Sequence, residues 1–310
     1  MKTAVITGAM GFIGHNLTKL FLEKKWRVMM IDDLSLHKDL YITKYRMESI
    51  QSEHCEFINT SCHNTYDITN KMRDNNANVI IHLASIPNQK TASEMPQIAV
   101  SSIVANTLNM ASVADSLNIR IVHASSSMAY GNFTSFPQIE DAILRPINLY
   151  GTLKAHSEDI IKLISKNYMI IRPSAVYGNG DSFDRVIAKW ILLALENKDI
   201  TVNDASSMLD FTHVNDLIKG IFAAATSTHY QNETYNITRG QARSLGEAAL
   251  IVKEMTKSKS HIVYSESEAD CPLRGSLDIS KARRELNYQP RVDIQDGIES
   301  YINWVRNYVN

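Results

Sequence analysis

Short apolar and β-branched runs recur through the first half of the chain, at Thr3–Thr7, Arg27–Ile31, Cys55–Ile58, Val79–Leu83, Ile119–Ala124 and Met169–Arg172. Turn formers bound each run, and all are too short for helices, so they read as buried strands. Between them, Phe12–Lys24, Ile98–Leu117 and Leu149–Lys166 carry apolar positions at helical spacing. Alternation of strand and helix predicts an α/β fold with a doubly wound parallel sheet of the Rossmann kind. Beyond Arg172 the rhythm loosens into a turn-rich Tyr177–Asp184, a helix near Arg185–Glu196 and an irregular segment ending at Leu209. Thr234–Ile237 is expected to return to the large sheet, while Ser244–Thr256, Asp278–Leu286 and Ile294–Asn307 read as helices of a smaller lobe.

The first strand runs into Gly8-Ala-Met-Gly11-Phe-Ile-Gly14. The first glycine permits a tight turn, the second lets a pyrophosphate approach the backbone, and the third lets helix and strand pack closely. A bare glycine triplet is also found in ordinary strand-helix turns. Here Asp32 and Asp33 close the second strand about 20 residues on, where a carboxylate accepts from an adenosine ribose hydroxyl. That carboxylate would repel a 2′-phosphate, which favours NAD over NADP. The expected division is therefore a dinucleotide-binding half, 1–172 with 211–240 returning to it, and a smaller substrate-binding lobe, 173–210 with 241–310.

Of 13 tyrosines only Tyr150 has a lysine four residues later, Lys154, and the pair opens a predicted helix on one face. Oxidation of an alcohol needs a base for its proton. An ammonium beside a phenol favours the phenolate, and the same lysine can hold a ribose. An exposed helical Tyr and Lys would look the same in isolation. The fifth strand, however, ends in Ser125-Ser126-Ser127, and ligands of open parallel sheets sit at such strand ends.

Composition adds exclusions. Lys and Arg number 32 against 33 Asp and Glu, without long single-sign runs, so charge gives no argument for a nucleic-acid or membrane partner. No apolar stretch approaches the roughly 20 residues that span a bilayer. The first apolar run stops at Gly8, too early for a signal-peptide core, which makes the cytoplasm the expected compartment. Cys55, Cys62 and Cys271 lack metal spacing and read as reduced structural thiols. His82 and His123 read as packed strand residues, His213 as part of a helix start, Glu158 as a helix-steadying neighbour of Lys154, and Trp190 and Trp304 as core or interface aromatics; no metal is expected.

With these motifs in order, the chain resembles the NAD-dependent epimerase/dehydratase family, the extended short-chain dehydrogenases. The resemblance runs almost end to end, through Gly8–Gly14, His82-Leu-Ala-Ser85, Tyr130-Gly131, Tyr150-Gly-Thr-Leu-Lys154, Arg172-Pro-Ser-Ala-Val-Tyr-Gly178, Asp210-Phe-Thr-His-Val-Asn-Asp216, Tyr235-Asn-Ile237, Asp278-Ile-Ser-Lys-Ala282 and Leu286-Asn-Tyr-Gln-Pro290. It implies catalytic Ser126, Tyr150 and Lys154, with Ser126 chosen because it lies four residues before Tyr130. It extends the cofactor contacts from Gly8, Gly11, Gly14, Asp32, Asp33, Tyr150 and Lys154 to Phe12, Ile13, Ser61, Cys62, Leu83, Ala84, Ser85 and Pro173. Implied substrate contacts are Ser85, Asn88, Ser126, Ser127, Tyr150, Arg185 and Arg274. The implied activity is nucleotide-sugar epimerisation, 4-epimerase-like, by transient hydride abstraction to NAD in a homodimer paired through 98–117 and 149–166.

Departures from the family pattern bear on that reading. The 4,6-dehydratases carry an acid directly after the catalytic Ser/Thr or one residue further on, whereas Ser127 and Met128 stand here. Dehydration thereby loses its general acid/base. Thr60-Ser61 replaces the usual Gly-Asp at the adenine, and Ala175, Leu209 and Glu268 fall where an Asn and two Arg commonly hold the diphosphate. Arg185 and Arg274 are the candidate replacements. A net dehydrogenase or reductase of a sugar or other secondary alcohol is the alternative, then a dehydratase, then a cofactor-sensing protein without catalysis.

Overall fold

The computed structural model describes residues 1–37, 39–266 and 271–309; Glu268 lies outside them. Strands β1 (Thr3–Thr7), β2 (Arg27–Asp32), β3 (Cys55–Asn59), β4 (Ala77–His82), β5 (Arg120–Ala124), β6 (Tyr168–Arg172) and β7 (Glu233–Asn236) form one parallel sheet in the order β7-β6-β5-β4-β1-β2-β3. The order reverses between β1 and β4, so a crevice opens at their carboxyl ends.

Helices α1 (Phe12–Glu23), α2 (Leu40–Glu48) and α3 (Thr65–Asp74) follow β1, β2 and β3. After β4 come α4 (Gln89–Glu94), α5 (Pro96–Val100) and α6 (Asn106–Leu117), and α7 (Leu149–Ile164) joins β5 to β6. The rest comprise α8 (Val186–Leu195), α9 (Val214–Thr226), α10 (Leu245–Thr256), α11 (Ser280–Leu286) and α12 (Ile294–Val309).

Strand alternation sends successive side chains to opposite faces. Ala4, Ile6, Val28 and Met30 meet Leu17 and Phe21 of α1 and Leu217 and Ile221 of α9. Val5, Met29, Ile31 and Ile80 meet Met72 of α3, Met110 and Ala114 of α6 and Ile161 of α7. A separate core joins α8, α10 and α12 through Ile187, Trp190, Val252, Ile298 and Val305.

Two features depart from the sequence expectation. The stretch 98–117 is not one α-helix: a π-helical turn over Ser101–Ala105 separates α5 from α6, and the Ser102 hydroxyl accepts from Ile86 N at 3.3 Å. The segment before Leu209 is not irregular throughout, since Ile200–Asn203 pairs in parallel with Ile262–Ser265. Among the described residues no helix is long and apolar enough to cross a membrane.

Candidate active site

Gly8 stands at φ +67°, and a side chain there would begin 2.7 Å from Ala84 N. At Gly14 it would begin 2.2 Å from the Gly8 carbonyl. Both positions exclude any Cβ, since backbone cannot yield as a flexible side chain does. Gly11 opens α1 with no side-chain cap, leaving the first N–H groups of the helix to a ligand. Such an end attracts a phosphate.

Asp32 closes the cradle. It is 8 % exposed and accepts from Met10 N and Leu34 N, both at 2.9 Å, with His37 Nε2 at 3.2 Å. Burial works to raise its carboxyl, but His37 and the backbone donors outweigh it and leave the group below its ordinary range. Asp33 faces solvent instead and bonds Ser35. A buried, ionised carboxylate beside a glycine cradle and an uncapped helix end fits a dinucleotide with an unphosphorylated ribose.

Asn148 caps α7 by accepting from Gly151 N at 2.9 Å, which starts the helix at Leu149 and points Tyr150 and Lys154 inward. Gly151 lets the helix approach the chain after β5, since a Cβ there would lie 2.4 Å from the Met128 carbonyl. Tyr150, half-buried, lies close enough to Ser126 for that hydroxyl to favour its phenolate. The Ser126 hydroxyl also accepts from Met128 N at 3.1 Å. Burial pushes the Tyr150 phenol up, and the Arg185 charge and the Ser126 hydroxyl oppose that rise. Lys154 Nζ donates to the Ala124 carbonyl at 2.8 Å and stands 5.8 Å from the Tyr150 ring centre. Burial pulls its ammonium from 10.5 to about 8, with Glu158 holding it up.

The other expected residues separate into groups. Phe12 and Ile13 open α1, and Leu83 N and Ala84 N bond Thr7 against the glycine loop. The Ser85 hydroxyl donates to the Ile86 carbonyl. Ser61 takes a long bond from His63 N, and the neighbouring Cys62 thiol is buried and pushed up to about 12. Ser127, 1 % exposed, donates its N–H to the Pro173 carbonyl beside Ser126. Asn88 caps α4 through Thr91 N. Arg185 reaches the Pro87 carbonyl at 3.5 Å. Arg274 stands apart, in a cavity of about 340 Å³ lined by Phe136, Met208, Gly240 and Ala242, with its Nε buried and unpartnered. A cavity of about 570 Å³ meets α7 at Thr152, His156 and Asp159, on a different face from Tyr150 and Lys154.

Cradle and phenol together are the arrangement of an alcohol-oxidising dinucleotide enzyme, and the comparisons decide which kind. A sequence model of the NAD dependent epimerase/dehydratase family matches residues 4–238. The chain belongs to that family. Its cofactor is NAD. It is 29% identical over 315 residues to a putative UDP-glucose 4-epimerase of Methanocaldococcus jannaschii, covering 98% of each. Among solved structures, UDP-glucuronic acid 4-epimerase from Bacillus cereus, in complex with UDP-glucuronic acid and NAD, has a TM-score of 0.91 at 26% identity, covering 98% of this chain and 99% of that one. A dTDP-glucose 4,6-dehydratase from Streptomyces venezuelae has a TM-score of 0.90 at 21% identity, covering 98% and 97%, which shows the shared fold alone. The family fold thus serves epimerases and dehydratases alike.

Sequence reasoning missed two groups in this family member. Glu158 is fully buried and clasps Arg172 through bonds of 2.8 and 2.6 Å, with Lys162 at 3.7 Å. Arg172 also donates to Tyr130 Oη and the Glu140 carbonyl. Arg46 of α2, 4 % exposed, was unremarked. Its advance signal was an arginine on the face of Ile42 and Thr43, away from the exposed pair Lys44 and Glu48. His82 and His123 are packed as expected, 5.6 Å apart and nearly parallel. Thr7 and Thr107 hold His82, whose imidazole burial lowers to about 3, and Ser157 holds His123, whose Nδ1 has no partner. His213 caps α9 through Asn215 N, Trp190 belongs to the smaller core, and Trp304 packs on Tyr45 of α2. Among the described residues no group of three His, Cys, Asp or Glu could hold a metal.

Proposed function

We propose that the chain is a nucleotide-sugar 4-epimerase with Tyr150 as acid/base. The observation that carries this is the placing of Tyr150, with Lys154 Nζ 5.8 Å from its ring centre and bound to the Ala124 carbonyl that ends β5, beside Ser126 and the glycine cradle. NAD, when bound, supplies a two-electron acceptor for a secondary alcohol and is restored within the same turnover. Tyr150 takes the sugar hydroxyl proton and later returns it. Ser126 holds the reacting oxygen, its own oxygen steadied by Met128 N. Lys154, fixed by Ala124, orients the nicotinamide ribose. Neither Ser127 nor Met128 can act as the acid that water elimination needs, which favours epimerisation.

The relatives named above carry UDP-sugars in their names or complexes, and we extend that substrate class to this chain. With Ala175 and Leu209 unable to hold a diphosphate, Arg274 in its cavity and Arg185 near Tyr150 are the positive charges offered to it. On this reading 1–172 with 211–240 binds cofactor, and 173–210 with 241–310 binds substrate. The molecule works as a homodimer through α6 and α7, which pack together and leave Leu108 and Leu163 exposed. Three cysteines without a disulfide suit a reducing cytoplasm.

The test is incubation with UDP-glucose, UDP-glucuronate and UDP-N-acetylglucosamine in the presence of NAD, with products resolved by proton NMR. The expected product is the 4-epimer, formed with no accumulating NADH. Tyr150→Phe loses roughly 10²–10⁴-fold in turnover while still binding NAD. NADH rising in step with product would replace this reading by a net dehydrogenase, and a 4-keto-6-deoxy sugar by a dehydratase.

A further inference from the structure

The segment Gly178–Arg185 leaves the cofactor half and ends on Arg185, which reaches the Pro87 carbonyl at 3.5 Å, next to Ile86 of the cluster on which Tyr150 packs. Two backbone turns stiffen it, Asp181 N to the Gly178 carbonyl at 3.2 Å and Arg185 N to the Ser182 carbonyl at 3.1 Å. Arg46 reaches into it from α2. Its Nε donates to the Gly180 carbonyl at 3.0 Å, one Nη to the Met10 carbonyl at 3.1 Å and the other to Ser182 Oγ at 3.4 Å. Met10 is in the glycine loop, and its N–H is held by Asp32. One guanidinium therefore grips the cofactor cradle and the active-site segment together.

Three further contacts run the same way. Asn16 of α1 donates to the Asn179 carbonyl at 3.1 Å. Asp181, 3 % exposed, sits in the segment, where burial raises its carboxyl to about 7 against the charges of Arg185 and Arg46. Tyr45, next to Arg46, packs on the Trp304 indole at 5.3 Å, and Phe183 stacks on that indole at 5.8 Å. Helix α2 and the segment thus lean on one side chain of α12.

We propose that Arg46 is a positioning residue: by fixing the Met10 and Gly180 carbonyls with one planar fork, it sets where Arg185 stands by the Pro87 carbonyl near Tyr150 and so couples the cofactor cradle to the acid/base. The inference rests on the reading of Tyr150 as that acid/base. A lysine at 46 keeps the charge but cannot span divergent acceptors with fixed donors. The fork, and not the charge, is what the proposal requires.

The experiment titrates the Tyr150 phenol in the NAD-bound protein by ultraviolet phenolate absorbance, taken as the difference from Tyr150→Phe, in wild type, R46K, R185M and R46K/R185M. Displacing Arg185 removes a favourable charge, so R185M raises the midpoint. R46K raises it in the same direction and adds little in the R185M background, the non-additivity expected when one residue acts through another. The proposal is overturned if R46K leaves the midpoint unmoved while R185M shifts it, or if the two shifts add. If R46K does not fold by its thermal transition, Asn16→Ala loosens the same segment without touching a buried charge, with the same two outcomes. Should Tyr150→Phe retain full turnover, the acid/base reading fails and the positioning proposal fails with it. A null shift in R46K beside an inactive Tyr150→Phe sinks the positioning proposal alone.

Discussion

Glu158→Gln removes one charge and almost no volume. In the wild type the carboxylate is fully buried, accepts from Arg172 Nε on Oε1 at 2.8 Å and from Arg172 Nη2 on Oε2 at 2.6 Å, and takes the Ser125 hydroxyl on Oε1 as well. An amide keeps one acceptor but turns two N–H donors toward a guanidinium that has only donors. Arg172, 3 % exposed, is left with Tyr130 Oη and one carbonyl. Breaking a buried pair from one side costs about 3–5 kcal/mol. At about 2 °C per kcal/mol for a chain of this size, the melting temperature falls by roughly 6–10 °C. Adding Arg172→Met to the variant recovers part of that loss, because the stranded charge goes too.

A second readout separates this from a loss of packing. Burial holds Lys154 at about 8 against an ordinary 10.5, roughly 3 kcal/mol against the charged form, and Glu158 opposes that burial. A depressed lysine is fully charged in both folded and unfolded chains below pH 8, where the charge penalises folding. Between pH 8 and 10.5 only the unfolded chain keeps the proton, so this group's contribution to stability rises with pH. On the role proposed for Lys154, activity runs the other way, because the ammonium is lost on the alkaline side. Without Glu158 the lysine deprotonates earlier, so the alkaline limb of the pH–rate profile moves to lower pH in Glu158→Gln. A melting temperature within about 2 °C of wild type together with an unmoved limb would refute the account.

Two further variants bear on cofactor and substrate. The buried Asp32 carboxylate at the cradle makes NAD bind at least tenfold tighter than NADP, and Asp32→Asn narrows that ratio by weakening NAD; fluorescence titration of both cofactors checks it, and an unchanged ratio would remove Asp32 from the ribose site. Ala175 stands at φ +36°, a region that asparagine adopts more readily than alanine, so Ala175→Asn relieves strain of about 1 kcal/mol and adds a diphosphate donor. A higher melting temperature with a lower KM for the nucleotide sugar is expected, and a raised KM would show that the substrate passes elsewhere.

The sheet was legible because its signals are local. Ala4 and Ile6 face one layer and Val5 the other, an alternation fixed by backbone geometry, and the glycines and Asp32 have roles set by a turn and a strand end. The pair Tyr150 and Lys154 was legible for the same reason, as two residues one helical turn apart. The strand Ile200–Asn203 was not, since its partner Ile262–Ser265 lies some 60 residues on and only pairing makes four alternating residues a strand.

Glu158 shows where local reasoning stops. Spacing made it a neighbour of Lys154, and its charge does hold that lysine up. Its dominant bonds nevertheless go to Arg172, on the next strand. Helical spacing ranks partners by proximity along the chain, whereas a fully buried carboxylate is settled by desolvation, which demands several donors at once. Arg46 obeys the same rule at longer range, since the carbonyls it serves are 36 and 134 residues away. A charged residue on the apolar face of a helix, as Arg46 is on that of Ile42, is therefore better read by asking which unpaired carbonyls the fold will bring to it than by its helical neighbours. In this chain that question leads from the glycine loop to the phenol.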